Sequence, residues 1–177
     1  MIESSRRTAT PTGRIQFHFR AAAAAATCAL ALLLSLPLRA DEPYARTRDY
    51  DLQHSKIVLK FDIDQRKVIG DVTHSISILR DNTSKVSFDS VGLTIGLVSV
   101  NKSPAKYETS ASKLNVYLPG SPHIGDKFEI EIHYQAKPNK GMYFILPDKN
   151  YPKQPIEIWT QGESEDTRYY LPTYDYP

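Results

Sequence analysis

Cysteine is nearly absent from this sequence, and its absence excludes one class of exported protein. The only cysteine of the 177 residues, Cys28, lies inside an apolar run near the amino terminus, so the chain beyond that run has none. Small secreted domains that cannot build a sufficient core are usually held together by disulfide bonds. A disulfide scaffold is therefore excluded, and the folded part must be stabilised by a hydrophobic core of its own.

An excess of positive charge is also absent once the amino-terminal region is set aside. Residues 1–40 contain five of the 22 Lys and Arg residues but only one of the 20 Asp and Glu residues. The rest of the chain therefore has 17 basic and 19 acidic residues, which gives a net charge of −2. Nucleic-acid binding requires clustered positive charge to contact phosphates. We therefore expect no nucleic-acid partner.

The amino-terminal region has the layout of a secretory signal peptide. Several arginines precede an apolar run at residues 21–38, and Ala40 stands just before the acidic Asp41. A basic start, an apolar middle and a small residue at the cut are typical of such peptides. We expect a helical signal peptide over residues 1–40, a periplasmic or extracellular domain over residues 41–177, and no stable membrane span after cleavage. The alternative is a membrane anchor formed by the uncleaved run, which approaches spanning length.

Long helical apolar stripes are missing after residue 40, and apolar residues alternate with polar ones instead. Successive side chains of a strand point to opposite faces, so this alternation predicts strands with one apolar face and one solvent-exposed face. Short polar segments between the runs suit turns. We therefore predict an all-β fold, an antiparallel β-sandwich or saddle-like sheet. The predicted inward positions are Ile57, Leu59, Phe61 and Ile63; Val68, Val72, His74, Ile76 and Ile78; Leu114, Val116 and Leu118; and Phe128, Ile130, Ile132 and Tyr134.

The last nineteen residues, from Trp159 to Pro177, form a polar and aromatic segment. Its prolines, Pro172 and Pro177, are incompatible with a continuous helix or a central strand. We therefore predict an ordered, irregular loop held down by its aromatic side chains. Such loops on a rigid scaffold often carry functional sites, although the composition also suits a plain acidic surface loop.

Six residues in this segment have a spacing that resembles the loop closing the N-terminal domain of the aminopeptidase N family of zinc peptidases. The family pattern is Q-x-E-x-x-x-x-R-x-x-F-P-x-x-D-x-P, with Leu171 here in place of the usual Phe. The opening strands and a G-x-Y segment fit the same family. The matching positions are Gln161, Glu163, Arg168, Pro172, Asp175 and Pro177; Tyr50, Leu52, Leu59, Phe61, Asp62, Gly70, Val72 and Ile76; and Gly141 with Tyr143.

The resemblance implies a role for each residue of the loop. The glutamate of Q-x-E binds the free α-amino group of a peptide in that family, and here it corresponds to Glu163. Gln161 would contact the first residue of the substrate, while Glu165 and Asp166 are expected to be solvated. The remaining matched residues would fix the shape of the loop, with an Arg–Asp pair as a natural clamp; they are Arg168, Pro172, Asp175 and Pro177.

The family's zinc motif, H-E-x-x-H, is missing from this sequence. None of the five histidines is followed by Glu, and no two of them are four positions apart. His74 is interpreted as a core residue and His133 as a solvated one, so no cofactor is expected in this chain. The resemblance implies that zinc belongs to a catalytic domain, a missing partner without which this chain should be inactive.

Two functions remain open at this stage. The first is the N-terminal substrate-binding domain of an exported zinc aminopeptidase, incomplete at its carboxyl end. The second is a stand-alone secreted β-domain without catalysis, which binds peptides or protein partners.

Overall fold

Antiparallel strands build the entire domain, as the alternation predicts. The computed structural model describes residues 48–176, and the predicted signal peptide and Pro177 lie outside that range. Within it there are ten strands, one short 3₁₀ helix and no α-helix. The elements are β1 (Tyr50–Asp62), β2 (Lys67–Ile78), β3 (Lys85–Asp89), β4 (Thr94–Val100), β5 (Ser103–Pro104), β6 (Tyr107–Thr109), β7 (Lys113–Tyr117), β8 (Lys127–Ala136), β9 (Met142–Ile145), β10 (Glu157–Thr160) and the 3₁₀ helix η1 (Thr167–Tyr169).

The strands form two sheets that face each other and a separate two-stranded ribbon. The large sheet has the order β1-β2-β8-β4-β5, the small sheet has the order β3-β7-β6, and β10 pairs with β9 in the ribbon. All strand pairs are antiparallel. The prediction of an all-β antiparallel sandwich is therefore confirmed.

The hydrophobic core lies between the large and the small sheet. Its members are buried apolar residues that recur at every second position, because alternate side chains of a strand face the opposite sheet. From the large sheet come Val72, Ile76, Ile78, Ile130, Ile132 and Tyr134, and from the small sheet Val86, Phe88, Leu114 and Val116. The predicted inward positions of β2, β7 and β8 are thus correct.

The predicted burial along the second half of β1 is wrong at two positions. Ile57 is 45% exposed and Phe61 is 41% exposed, although Tyr50 at the start of the strand is buried. β1 is the edge strand of the large sheet, and a register shift between Leu52 and His54 interrupts its alternation. The edge strand is therefore only partly covered: Leu59 packs against the core, whereas Ile57 and Phe61 remain exposed, and sequence period alone could not show this.

Gly70 is required where two strands of the large sheet meet. It lies directly opposite Tyr134 in the β2–β8 pair. A Cβ at position 70 would stand 2.3 Å from Cζ of the Tyr134 ring, so the ring occupies the space of the missing side chain. Packing therefore explains why glycine stands at position 70: the backbone is in close contact with a large aromatic ring.

Candidate functional site: the terminal loop

The β9–β10 ribbon leads the chain into the terminal loop, which we define as residues 161–176. The backbone N–H of Gln161 donates to the Gly141 carbonyl at 2.9 Å, which extends the ladder one step beyond the strands. The chain then turns at Gly162, whose carbonyl accepts a hydrogen bond from the Asp166 N–H at 3.0 Å. The loop therefore starts as a continuation of the ribbon and then folds back.

Gly141 makes the close contact between ribbon and loop possible. Its φ of +73° belongs to the left-handed region, which L-amino acids with a side chain rarely adopt. A Cβ at this position would also lie 1.9 Å from the backbone oxygen of Asp166 and 3.1 Å from the Tyr170 ring. Only glycine fits here, because both the backbone angle and the neighbouring backbone exclude a side chain.

Arg168 binds two acidic residues of the same loop. Its backbone N–H and its Nε both donate to Asp175 Oδ2, at 3.0 and 3.1 Å, and its Nη2 donates to the Asp175 carbonyl at 2.8 Å. Nη2 also donates to Glu165 Oε2 at 2.5 Å, so the expectation that Glu165 is merely solvated is wrong. These charge-assisted bonds close residues 165–175 into a ring around one guanidinium group.

Asp89, at the end of β3, ties this ring to the sandwich. Its side chain is 1% exposed, and Oδ1 accepts a hydrogen bond from Lys113 Nζ at 2.6 Å and lies 3.7 Å from Arg168 Nη1. Oδ2 accepts a bond from the backbone N–H of Asp175 at 3.1 Å. A buried carboxylate is tolerable only when it is paired and hydrogen-bonded, and these contacts meet that need.

Backbone hydrogen bonds attach the loop to β3 as well. Asp89 and Thr173 exchange two of them, at 2.6 and 3.1 Å, as an isolated antiparallel bridge. The Val91 N–H donates to the Arg168 carbonyl at 3.0 Å. The second half of the loop thus behaves as an additional piece of the small sheet's edge. Sequence reasoning missed Asp89, since a lone acid after a short apolar strand gives no signal of this kind.

His74 holds the loop from the large sheet. It is fully buried, as the alternation predicts, and its ring stacks on Phe88 with centroids 4.8 Å apart. Nε2 lies 2.8 Å from the Pro172 carbonyl and must donate to it, so the neutral ring accepts at Nδ1 from the Ser55 hydroxyl, also 2.8 Å away. Burial lowers the pKa of His74 below 6.5, while the bond to Pro172 acts in the opposite direction.

Gln161 and Glu163 contrast with the rest of the loop. Both side chains are exposed. Neither forms a side-chain hydrogen bond or ion pair with any other residue in the range 48–176. The structure therefore presents the Q-x-E pair to solvent, beside a segment fixed by Arg168 and His74. A free carboxylate on a rigid support is suited to bind a cation such as an ammonium group.

The potential metal ligands between residues 48 and 176 are not grouped as a zinc site would require. Among the residues that the structure describes, no group of three or more His, Cys, Asp or Glu side chains is placed to hold a metal ion. His133 lies on the polar face of β8, half exposed, with Nδ1 2.5 Å from Asp71 Oδ1, so it is paired rather than only solvated.

Within residues 48–176 no helix has the length and apolar character of a membrane span.

The domain is an all-β sandwich whose terminal loop is clamped by Arg168 and Asp175 and exposes the side chains of Gln161 and Glu163. The sequence profile of the family described as the Peptidase M1 N-terminal domain matches residues 47–177, which is most of the chain. The chain belongs to this family.

Known proteins with similar sequence or structure agree with this assignment. The chain is 34% identical over 101 residues to probable aminopeptidase 1 of Sulfurisphaera tokodaii, an alignment covering 56% of this chain and 12% of that protein. The fold resembles the M1 zinc metallopeptidase of Deinococcus radiodurans (TM-score 0.61, 24% identity) over 77% of this chain and 31% of that one. It also resembles yeast LTA4 hydrolase in complex with bestatin (TM-score 0.64, 18% identity) over 82% of this chain and 24% of that one. The chain spans less than a third of each relative.

Proposed function

We propose that this chain is the substrate-facing N-terminal domain of an exported zinc aminopeptidase, and that Glu163 binds the free amino group of the peptide. Family membership supports the aminopeptidase part, since the relatives include a probable aminopeptidase and M1 zinc metallopeptidases. One of these relatives was crystallised with a Tyr-Ser-Ala substrate. The alternative of a stand-alone module without a peptidase partner has no comparable support.

The contrast within the terminal loop is the observation that carries the substrate-binding role. Glu163 is exposed and unpaired among the described residues, although Glu165, two positions on, binds Arg168 at 2.5 Å. A carboxylate that stabilised the loop would be expected to contact it. Glu163 is instead free to accept charge-assisted hydrogen bonds from an ammonium group, and Gln161 lies beside it to contact the first residue of the peptide. In the complete enzyme, zinc on a catalytic domain would supply the hydrolytic chemistry.

A peptide-binding measurement tests this role. The chain is titrated with the tripeptide Ala-Ala-Ala and with its N-acetylated form, by calorimetry or by chemical-shift changes. We expect only the free amine to bind, and Glu163→Gln to weaken it about tenfold or more, because a hydrogen bond to a charged group contributes about 1.5–3 kcal/mol.

Glu157→Gln is the matched control, since Glu157 is an exposed glutamate of the ribbon, outside the terminal loop. It should bind as the unaltered chain does. Equal binding of the acetylated peptide, or equal losses in the two variants, would refute the role of Glu163.

Export is a separate part of the proposal and depends on residues 1–40. The mature protein isolated from its source should begin near Asp41, as amino-terminal sequencing would show. Recovery of the uncleaved chain from the membrane fraction would instead support the anchor.

A further inference from the structure

The outer face of the β9–β10 ribbon carries two aromatic side chains that the fold does not use. Tyr143 and Trp159 are directly paired across the ribbon, and their rings stack at 4.4 Å with an interplanar angle of 20°. Both remain exposed, Tyr143 by 36% and Trp159 by 46%. We call this pair the aromatic platform.

The opposite face of the ribbon accounts for its attachment to the domain. Met142 is buried in a second small core with Val68 and Ala136, and Phe144 and Ile158 pack against that core. Successive side chains of a strand alternate between faces, so these inward residues dock the ribbon. The aromatic platform lies on the other face and contributes nothing to that docking.

The ribbon that carries the platform leads directly to the proposed amine-binding residues. Trp159 is paired with Tyr143, Thr160 with Met142, and Gln161 follows immediately after β10. The hydrogen bond from Gln161 to Gly141 keeps this register into the loop. The loop then passes close to Gly141, where the Asp166 backbone occupies the position of a side chain.

A recess beside the platform has the size of one side chain rather than of a whole ligand. Its volume is about 280 Å³, below the usual range for sites that enclose a complete small molecule, and Tyr143, Trp159 and Pro138 help to line it. Exposed apolar surface next to convergent polar groups commonly marks a contact site. Flat aromatic rings favour other aromatic or large apolar side chains as partners.

We infer that the aromatic platform selects the first residue of the substrate, with a preference for aromatic or large apolar side chains. This inference rests on the proposed function, because it requires the peptide's amino group to be held at Glu163. Gln161, between the two, would then contact the peptide backbone. The platform is a specificity surface and has no part in bond cleavage.

The chain has a single tryptophan, so the emission of Trp159 reports on the platform alone. The full chain is titrated with Phe-Ala-Ala, Ser-Ala-Ala and N-acetyl-Phe-Ala-Ala, and affinities are taken from emission and calorimetry. We expect Phe-Ala-Ala to bind about tenfold more tightly than Ser-Ala-Ala, because it buries a ring, and to change the emission more strongly. The acetylated peptide should bind weakly.

Tyr143→Thr removes one ring and retains Trp159 as the probe. It should reduce the affinity for Phe-Ala-Ala to that for Ser-Ala-Ala and leave the latter unchanged. Tyr151→Thr is the matched control, since Tyr151 is an exposed tyrosine outside the platform, and it should change neither affinity. The circular dichroism spectrum of each variant verifies that the ribbon is folded.

The possible failures are distinguishable. If Phe-Ala-Ala and Ser-Ala-Ala bind equally but acetylation still weakens binding, the platform inference is overturned and the proposed function stands. If acetylation has no effect, the amine-binding role fails, and the platform inference fails with it.

Discussion

The two halves of the terminal loop differ in the burial and bonding of their polar and charged side chains. In the first half, residues 161–164, the side chains of Gln161 and Glu163 are exposed and form no hydrogen bond or ion pair with the rest of the described domain. In the second half, Arg168 and Asp175 are nearly buried and bonded to each other. The difference shows that a polar loop need not be uniformly mobile or uniformly functional. Buried charges fix its position, and exposed ones remain available for a ligand.

The largest effect is expected from breaking the buried charge cluster. Arg168→Ala would leave the buried carboxylate of Asp175 without its cation and would leave Lys113 as the cation beside the buried Asp89. Removing one partner of a buried pair typically costs about 3–5 kcal/mol. We expect a loss of that order in the free energy of unfolding, measured by urea titration with circular dichroism.

Lys106→Ala serves as the control for that experiment, because Lys106 is an exposed cation whose pairing with Glu108 at 3.9 Å lies at the surface. Its effect should be within about 1 kcal/mol. Similar losses for Arg168→Ala and Lys106→Ala would show that the cluster does not hold the loop.

A smaller effect is expected where the loop passes over the ribbon. Gly141→Ala introduces a side chain at a φ of +73° and against the Asp166 backbone, so it combines two penalties. Gly120 has the same φ of +73° but open space around it, so Gly120→Ala has only the backbone penalty. We expect about 1–2 kcal/mol of destabilisation for Gly120→Ala and clearly more for Gly141→Ala, in thermal or urea unfolding. Equal losses would mean that the loop moves away from the ribbon without cost.

The smallest effect concerns the contact between His74 and Pro172, and it depends on pH. The pKa of His74 is below 6.5 in the folded chain, so the unfolded chain takes up the proton more readily. The stability linked to His74 is therefore present above pH 6.5 and is lost as the pH falls through the folded-state pKa. His74→Gln keeps a donor for Pro172 without titrating, and its unfolding free energy should decline less between pH 8 and pH 5.

His54→Gln is the matched control for the pH series, because His54 is exposed on the neighbouring strand. Its decline should match that of the unaltered chain. If His74→Gln and the unaltered chain decline equally, His74 is not the group that links the loop to pH.

Much of the fold could be predicted from the sequence, because the signals involved are local. The alternation along β2, β7 and β8 identifies their buried faces, and polar segments identify the turns between them. The prediction for β1 failed at Ile57 and Phe61, since burial there depends on which elements cover an edge strand. The binding role of Glu163 stays a prediction, as does the architectural role of Arg168.

What the sequence by itself determined is the all-β class and the family, through the spacing from Gln161 to Pro177 and through Gly70 and Gly141. Only the tertiary structure decided which charges hold the loop. His74 and Pro172 are 98 positions apart, and Asp89 and Asp175 are 86 positions apart. Such pairs meet because sheet register and packing bring distant strands together, and no local pattern of residues encodes that meeting.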